Sequence, residues 1–311
     1  MKREIYKIIS NYLYGDNVTK LEMEILKKIS KFIHNKRPIE FVLPSFPGKS
    51  PNINSSFDGT FGYEEKYSIN VIQKMLNDIK NIYPFGAKIY IIHDGHLFTD
   101  LSITRSDEEL HRYIAEFRKN INPNIISVSL LDLTQSKSYS EARNKFKRTY
   151  VNSLNEKELS GDLVQKEILF TKIEFESQIT NNEFVSKNQL QMKAKEIAKQ
   201  SLLRKNGLSI CIDEKYRDAI RLSIHYQNQN SHKLGFKLID KAINLGSPWF
   251  NIIYECSNGD IILGKRNWFV NERILINNEN SKYYKITEKA ENEFKSNNVN
   301  KIMKKEISIG R

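Results

Sequence analysis

The sequence contains little cysteine and no long apolar run. Its only cysteines, Cys211 and Cys256, lie far apart and outside any C-x-x-C pair, so we expect neither a disulfide framework nor a zinc ribbon. No stretch of about 18 apolar residues could form a membrane span. The start, MKREIYKIISNYLYG, lacks the apolar core and cleavage site of a signal peptide. We therefore expect a cytoplasmic protein that has no membrane segment.

The formal net charge of +12 raises the question of an anionic partner. The lysines are interspersed with acidic residues and asparagines, and the sequence has no basic helix or aromatic platform typical of nucleic-acid binding. A coding bias toward Lys, Asn and Ile would give a similar composition. We expect no nucleic-acid partner. A small phosphorylated ligand accounts better for the net positive charge.

Hydrophobic periodicity predicts an α/β protein with a Rossmann-like, mostly parallel sheet and flanking helices. Apolar residues at helical spacing indicate amphipathic helices, whereas short apolar runs indicate buried strands. Ser106 and Glu109 form a capping-box pattern at the start of one helix. The predicted helices are 4–14, 20–34, 63–82 and one from about 107; the predicted strands are 39–43, 87–92 and 125–131.

The rest of the chain divides into a helical part and a strand-rich part. The pattern over about residues 137–206 predicts long charged helices, which we expect to form a cap over the sheet. Four strands are predicted after them, at 220–224, 235–239, 251–256 and 261–263, the last two joined by the hairpin turn Ser257-Asn258-Gly259-Asp260. We expect N-terminal helices over 1–36, a catalytic domain over 37–270 that includes the cap, and a C-terminal extension over 271–311 whose basic tail is peripheral.

The segment FVLPSFPGKSPN ends like a nucleotide-binding P-loop, but it does not fit one. Leu43 stands where the P-loop requires its first glycine, and Pro51 disfavours the helix that must follow. Three prolines make the segment stiff and extended. Three roles remain open for Lys49: a phosphate ligand, a Schiff-base amine or an ordinary surface lysine.

The loop HDGHLFTD follows a predicted strand and concentrates two imidazoles and two carboxylates. His93, His96 and Asp100 are the ligand types of a non-haem iron site. His93 closes a buried strand and His96 follows a predicted turn at Gly95, so the two side chains need not converge. We expect a polar substrate loop without a metal ion.

Two further segments carry reactive or aromatic side chains. On a strand, Arg221, Ser223 and His225 share one face, which combines an anion ligand, a hydroxyl and a titratable base. The alternative is an amphipathic strand with a solvated face. In Ser247-Pro248-Trp249-Phe250-Asn251, Trp249 is either part of the core or a ring that stacks on a ligand.

Together these segments resemble the pyoverdine/dityrosine biosynthesis family over about residues 37–265. The similarity lies in FVLPSFPGKSPN, IYPFGAKIYIIHDGHLFTDL, AIRLSIHYQ with the downstream Lys233, and SPWFNI, in that order. The resemblance implies an isocyanide (isonitrile) synthase that joins the α-amino nitrogen of tyrosine or tryptophan to a carbon from ribulose 5-phosphate. It implies no cofactor, and an oxygenase that uses iron and 2-oxoglutarate as a pathway partner. The alternative is a non-catalytic or nucleotide-binding Rossmann-like module.

The resemblance also marks candidate site residues. The expected catalytic residues are Lys49, His225, Asp94 and His96. The expected substrate-binding residues are Ser45, Phe46, Ser50, Asn52, Asp100, Arg221, Ser223, Lys233, Trp249 and Lys265. The family's last motif commonly reads Pro-Trp-His, but Phe250 stands at the histidine position. Gly62-Tyr63-Glu64-Glu65 and Tyr226 also depart from the pattern, which suggests a divergent member with another amino-acid substrate or an impaired one.

Overall fold

A computed structural model describes residues 1–101, 105–176, 187–278 and 281–297. Within them, helices and strands alternate through the first half of the chain. The α-helices are α1 (Lys2–Ser10), α2 (Val18–His34), α3 (Tyr63–Ile82), α4 (Asp107–Lys119), α5 (Leu130–Thr134), α6 (Tyr139–Phe146), α7 (Gly161–Glu176) and α8 (Lys187–Lys215), with a further helical segment at 288–297. The strands are β1 (Leu13–Tyr14), β2 (Ile39–Pro44), β3 (Ala87–Ile92), β4 (Ile125–Val128), β5 (Ile220–Ser223), β6 (Leu234–Phe236), β7 (Ile252–Glu255), β8 (Ile261–Gly264), β9 (Arg273–Asn278) and β10 (Ser281–Ile286).

Six strands form one sheet in the order β1-β6-β5-β2-β3-β4. All neighbouring pairs are parallel except β1 with β6. The central strands β2, β3 and β5 therefore end at the same edge, which is where open α/β sheets bind ligands. The α/β class and the mostly parallel sheet predicted from the sequence are confirmed.

The central strands send alternate side chains to two hydrophobic cores, one on each face of the sheet. On β2, Phe41 and Leu43 join the core built with helices α1 to α4, whereas Val42 joins the core built with α5, α6 and α8. This two-residue alternation is the geometry of any β-strand, and burial on both faces explains the continuous apolar runs of the central strands. Helices on both sides leave the carboxyl edge as the place where polar loops can gather.

The C-terminal part forms a second, mixed sheet in the order β8-β7-β10-β9. β7 and β8 are antiparallel, as predicted for the hairpin turn, and Gly259 has φ of +82°, a conformation that favours glycine. β10 is parallel to β7 and antiparallel to β9. The strand-rich C-terminal region is therefore confirmed. Residues 298–311, most of the basic tail expected to be peripheral, lie outside the described residues.

Helices α6, α7 and α8 occupy the region predicted to be a helical cap. α7 packs along α8 through Val164, Ile168, Ala194 and Ala198. α8 continues beyond the predicted cap to Lys215 and supplies side chains to the core under α6. None of the helices within the described ranges is long and apolar enough to cross a membrane.

Several element boundaries differ from those predicted. The first helix ends at Ser10, and the residues after it form the short strand β1, which pairs with β6. The run predicted as a strand over 125–131 stops at Val128, because the Ser129 hydroxyl accepts a hydrogen bond from the Asp132 amide and begins α5. β5 ends at Ser223, so His225 lies in the loop beyond it.

Candidate active site

The candidate site lies at the carboxyl edge of the main sheet. Loops after β2 and β3 carry the first two motifs, the loop after β5 carries the third, and the turn before β7 carries the fourth. The Ser50 amide donates to the Trp249 carbonyl at 2.9 Å, which joins the first and fourth motifs directly. Segments almost 200 positions apart in sequence thus form one wall.

The loop after β2 turns sharply at Phe46, which has φ of +54° and is fully buried. A non-glycine residue in this conformation is strained, so the surrounding structure must hold it in place. Its ring packs against Phe117 at 4.6 Å and Trp249 at 5.2 Å between ring centroids. Its carbonyl oxygen lies 3.1 Å from His93 Nδ1. Phe46 is therefore a core residue that fixes the direction of the loop.

Lys49 lies in the protein interior and is fully engaged there. Its ammonium lies 2.9 Å from Glu64 Oε2 and 3.4 Å from Glu65 Oε1, and it donates to the Pro248 carbonyl at 2.8 Å. Burial alone lowers the pKa of Lys49, but the two carboxylates outweigh burial and raise it. Burial and the neighbouring Glu64 raise the pKa of Glu65, against the opposing effect of Lys49. Lys49 is thus a cation that joins α3 to the fourth motif.

The polar residues around Lys49 are also buried and hydrogen-bonded. Ser45 donates from its amide to the Ile92 carbonyl, extending the pairing of β2 with β3. The Ser50 hydroxyl accepts from the Asn52 amide, and the Asn52 side-chain carbonyl accepts from the Asn54 amide. These bonds shape the first loop; Ser45, Ser50 and Asn52 are each 5% exposed or less.

His93 and Asp94 end β3 but have different surroundings. Both ring nitrogens of His93 are engaged, by the Phe46 carbonyl and by the Ser127 hydroxyl at 3.0 Å. Burial lowers the pKa of His93 to about 4, so the ring is neutral and structural. Burial raises the pKa of Asp94 to about 6, and its Oδ1 has no hydrogen-bond partner in the described part of the chain. Asp94 is therefore a carboxyl group poised near neutrality.

His96 is enclosed between α4 and α6. Its Nδ1 lies 3.0 Å from Asp107 Oδ1, and its ring stacks on Tyr139 with 3.5 Å between centroids. Arg143 donates to both oxygens of Asp107, at 2.7 and 3.0 Å. Burial lowers the pKa of His96 more than Asp107 raises it. His96 is fully buried, and its contacts connect the second motif to the cap.

Asp100 also binds the cap. It forms an ion pair with Arg204 of α8, and Lys147 lies 3.2 Å from its Oδ2. Arg204 donates as well to the Leu97 carbonyl at 2.6 Å. Burial opposes ionisation of Asp100, but these cations lower its pKa overall. In this geometry the carboxylate holds α8 against the second motif.

The third motif places two cations side by side. Arg221 is 8% exposed, and its Nε and Nη1 have no hydrogen-bond partner among the described residues. Asp213 Oδ1 lies 3.6 Å from Arg221 Nε, and the same carboxylate lies 3.3 Å from His232. Burial lowers the pKa of Lys233, and the charge of Arg221 lowers it further. The Asp213 carboxylate thus lies near both the buried guanidinium of Arg221 and the ammonium of Lys233.

His225 lies in the loop beyond β5, exposed to solvent but close to charged side chains of α7 and α8. Its amide donates to the Ser223 hydroxyl at 3.2 Å, and Gln227 donates to that hydroxyl at 3.1 Å. Burial lowers the pKa of His225, and Lys205 and Lys233 lower it further. The imidazole is therefore neutral at pH 7 and can accept a proton.

In the fourth motif, Trp249 is fully buried and belongs to the core. The next residue, Phe250, is half-buried and contacts Phe170 of α7. Lys265 donates to the Phe250 carbonyl and, at 2.9 Å, to the Ser55 hydroxyl. Of the sequence alternatives for Trp249, the structure favours core packing, and the partly accessible ring is that of Phe250.

Comparison with known proteins identifies a family that shares this sequence pattern and this fold. A family model described as "Pyoverdine/dityrosine biosynthesis protein" matches residues 29–183 and 165–276, well over half of the chain. The chain belongs to this family. The crystal structure of the PvcA protein from Pseudomonas aeruginosa superposes with a TM-score of 0.80 at 25% identity, covering 92% of this chain and 99% of that one.

Family members of similar sequence are isonitrile synthases, which are enzymes. An L-tryptophan isonitrile synthase of Fischerella ambigua, AmbI2, is 31% identical over 73% of this chain and 71% of its own length. A second from that organism, AmbI1, is 29% identical over 85% of this chain and 86% of its own length. An L-tyrosine isonitrile synthase of Xenorhabdus nematophila is 30% identical over 77% of this chain and 75% of its own length.

Several residues at this family member's site were not found from the sequence. Lys205 of α8 is close enough to influence the pKa of both Asp94 and His225, and Glu167 of α7 influences His225. Glu167 accepts from Lys205 at 2.7 Å and from the Ser201 hydroxyl at 2.7 Å. Charged residues on a helix look like a solvated face, so no sequence signal singled them out.

The site therefore divides into two groups of predicted residues. Asp94, Arg221, His225 and Lys233 carry titratable or charged groups that the contacts described above engage only in part. The others support the loops or the core through the contacts described above: Ser45, Phe46, Lys49, Ser50, Asn52, His96, Asp100, Ser223, Trp249 and Lys265. Within the described ranges, no group of three His, Cys, Asp or Glu side chains is arranged to hold a metal ion.

Proposed function

We propose that this protein is an isocyanide synthase of secondary metabolism. It converts the α-amino group of an L-amino acid, tyrosine or tryptophan, to an isocyanide, with ribulose 5-phosphate as the carbon donor. The observation that carries the proposal is the pair of cations Arg221 and Lys233 near His225, with Asp94 following a neighbouring strand at the same carboxyl edge of the sheet.

The two cations suit a phosphate group. Burying a guanidinium whose nitrogens lack hydrogen-bond partners costs free energy of folding, unless a bound anion accepts their hydrogen bonds. Arg221 offers two such nitrogens in a planar fork, and Lys233 adds a second positive charge. Asp213 offsets only part of this charge, because it is one carboxylate near two cations. A dianionic phosphate would satisfy both donors, which supports a sugar phosphate as one substrate.

The neighbouring acid–base groups suit the chemistry at the amine and ketone. Condensation of an amine with a ketone expels water, and the enolisations that follow move protons between carbon and oxygen. Each step needs a group that can both donate and accept near neutral pH. Asp94, with its pKa of about 6, can do both, and neutral His225 can accept a proton. We assign them the proton transfers.

The remaining predicted residues act by positioning. Lys49 holds the first motif against the fourth, and His96 and Asp100 hold the second motif against the cap. Their charged groups are already engaged by protein partners, so the proposal gives them no direct chemical step. An oxygenase that uses iron and 2-oxoglutarate remains the expected pathway partner, and cytoplasmic location remains a prediction.

Incubation of the purified protein with uniformly carbon-13-labelled ribulose 5-phosphate and a panel of amino acids tests the proposal. Mass spectrometry should detect an amino-acid product that has gained one labelled carbon and lost two hydrogens. Unphosphorylated ribulose serves as the control and should give little product. If a folded protein yields no labelled isocyanide with any amino acid, the proposed function is wrong.

A further inference from the structure

Two phenylalanine rings meet where the cap approaches the fourth motif. Phe170 of α7 and Phe250 have ring centroids 5.0 Å apart and planes at 90°, an edge-to-face contact. Phe170 is nevertheless 39% exposed, and Phe250 is half-buried. The pair therefore presents apolar ring surface to solvent while joining two separate elements.

Phe250 is held firmly at its backbone. Its amide donates to the Ser247 carbonyl at 3.1 Å, and its carbonyl accepts from Lys265. The preceding residue, Trp249, is anchored to Ser50 of the first motif. The ring of Phe250 thus projects from a rigid base, as expected of a side chain that lines a preformed binding site.

Helix α7 connects this ring pair to the acid–base groups. Phe170 follows Glu167 by three residues, so both lie on one side of the helix, about 5 Å apart along its axis. Glu167 is near enough to influence the pKa of His225, whereas Phe170 contacts Phe250. Helix α7 consequently places a charged group near His225 and an apolar ring against Phe250, separated by about one helical turn.

We propose that Phe170 and Phe250 bind the side chain of the amino-acid substrate and so determine its specificity for apolar, aromatic side chains. This inference rests on the proposed function. The α-amino group lies toward His225, and the side chain packs on the ring surface that the two phenylalanines leave exposed. Because Phe170 belongs to the cap, substrate selection then depends on a contact between the cap and the base of the site.

Steady-state kinetics of Phe170→Ala and Phe250→Leu test the inference. Each variant should raise the KM for the preferred aromatic amino acid about tenfold or more, leave the KM for ribulose 5-phosphate unchanged, and favour smaller amino acids in competition. Leu169→Ala is the matched control, since Leu169 is a 60% exposed residue of the same helix. It should behave like the wild-type protein.

Calorimetric titration with the amino acid alone separates this inference from the proposed function. If the wild-type protein forms isocyanide but both phenylalanine variants keep its KM and its preference among amino acids, the inference is overturned and the proposed function stands. If no turnover occurs, weaker binding of an aromatic amino acid to Phe170→Ala than to Leu169→Ala still supports the inference. Equal binding to the two, or no binding to the wild-type protein, overturns it.

Discussion

Lys49 Nζ lies 2.9 Å from Glu64 Oε2, with both side chains only 2% exposed. Glu65 and the Pro248 carbonyl take up the remaining donors of the ammonium. An ion pair this deeply buried is costly to form but more costly to break, because its partner is left as an uncompensated charge. The lysine of the Gly48-Lys49-Ser50 triplet is therefore a structural group at the base of the site.

Lys49→Ala should lower the free energy of unfolding by about 3–5 kcal/mol, because Glu64 and Glu65 lose their shared cation. Urea denaturation at pH 7 measures this. Lys31→Ala, which breaks an ion pair with Asp218 whose side chains are more than half exposed, should change stability by less than about 1 kcal/mol. If the Lys49→Ala protein is as stable as the wild type, Lys49 has no structural role.

Arg221→Gln should raise the KM for ribulose 5-phosphate about 30-fold or more, since a charged hydrogen bond to phosphate contributes about 2 kcal/mol or more. The KM for the amino acid should change little. Arg217→Gln provides the control, because Arg217 is exposed and precedes β5. Inorganic phosphate should inhibit the wild-type protein more strongly than the Arg221 variant. Equal inhibition of both proteins would place the phosphate elsewhere.

The raised pKa of Asp94 predicts how kcat/KM changes at acid pH. If its ionised form accepts a proton during turnover, kcat/KM should fall as the pH drops below about 6, the pKa that burial gives this carboxyl group. Neutral His225 loses its capacity to accept a proton in the acidic range as well. Asp94→Asn should reduce kcat by a factor of about 100 or more. Wild-type-like turnover in this variant would exclude Asp94 from proton transfer.

The same carboxyl group should make stability depend on pH. Because the folded-state pKa of about 6 exceeds the usual 3.8, the native state holds this proton more tightly than the unfolded state does. The associated stability is present below pH 4 and is lost as the pH rises through 6. Asp94→Asn should thus stabilise the protein by about 3 kcal/mol at pH 8 and little at pH 3.5. Urea denaturation at both pH values, with exposed Glu24→Gln as control, measures the difference.

Gly95→Ala should disrupt the contact between the first and second motifs. A Cβ at Gly95 would lie 2.0 Å from the Pro47 carbonyl oxygen, which is backbone and cannot move aside without shifting the strained loop at Phe46. We expect a loss of about 1–3 kcal/mol of stability together with reduced activity. Gly161→Ala is the control, since a Cβ there meets nothing within 4 Å. Thermal unfolding of both variants should separate them.

Periodicity predicted most of the fold because each element carries its own local signal. The alternation on β2 and the capping box at Ser106 are examples, and both are present as predicted. The two-residue strand β1 was missed because the apolar spacing of α1 runs into it, and its pairing with β6 depends on residues more than 200 positions away. A short strand defined by a distant partner leaves no local pattern.

The site was less predictable than the fold. Motif positions indicated which loops meet at the carboxyl edge, but they did not indicate which side chains remain available there. Lys49 and His96 become buried because Glu64 and Asp107 lie opposite them in the folded chain. Conversely, Glu167 and Phe170 come from α7, whose sequence resembles an ordinary surface helix. Availability is decided by tertiary partners, which a linear pattern does not contain.

The hydrogen bond from Lys49 to the Pro248 carbonyl joins residues 199 positions apart. During synthesis, the chain emerges from its N-terminus at about 5–20 residues per second. Roughly 10–40 seconds therefore pass between the synthesis of Lys49 and the synthesis of its partner Pro248. Until then Lys49 has its carboxylates but no contact with the fourth motif, and the candidate site is incomplete. Catalytic competence should consequently appear only after the second half of the chain has been made.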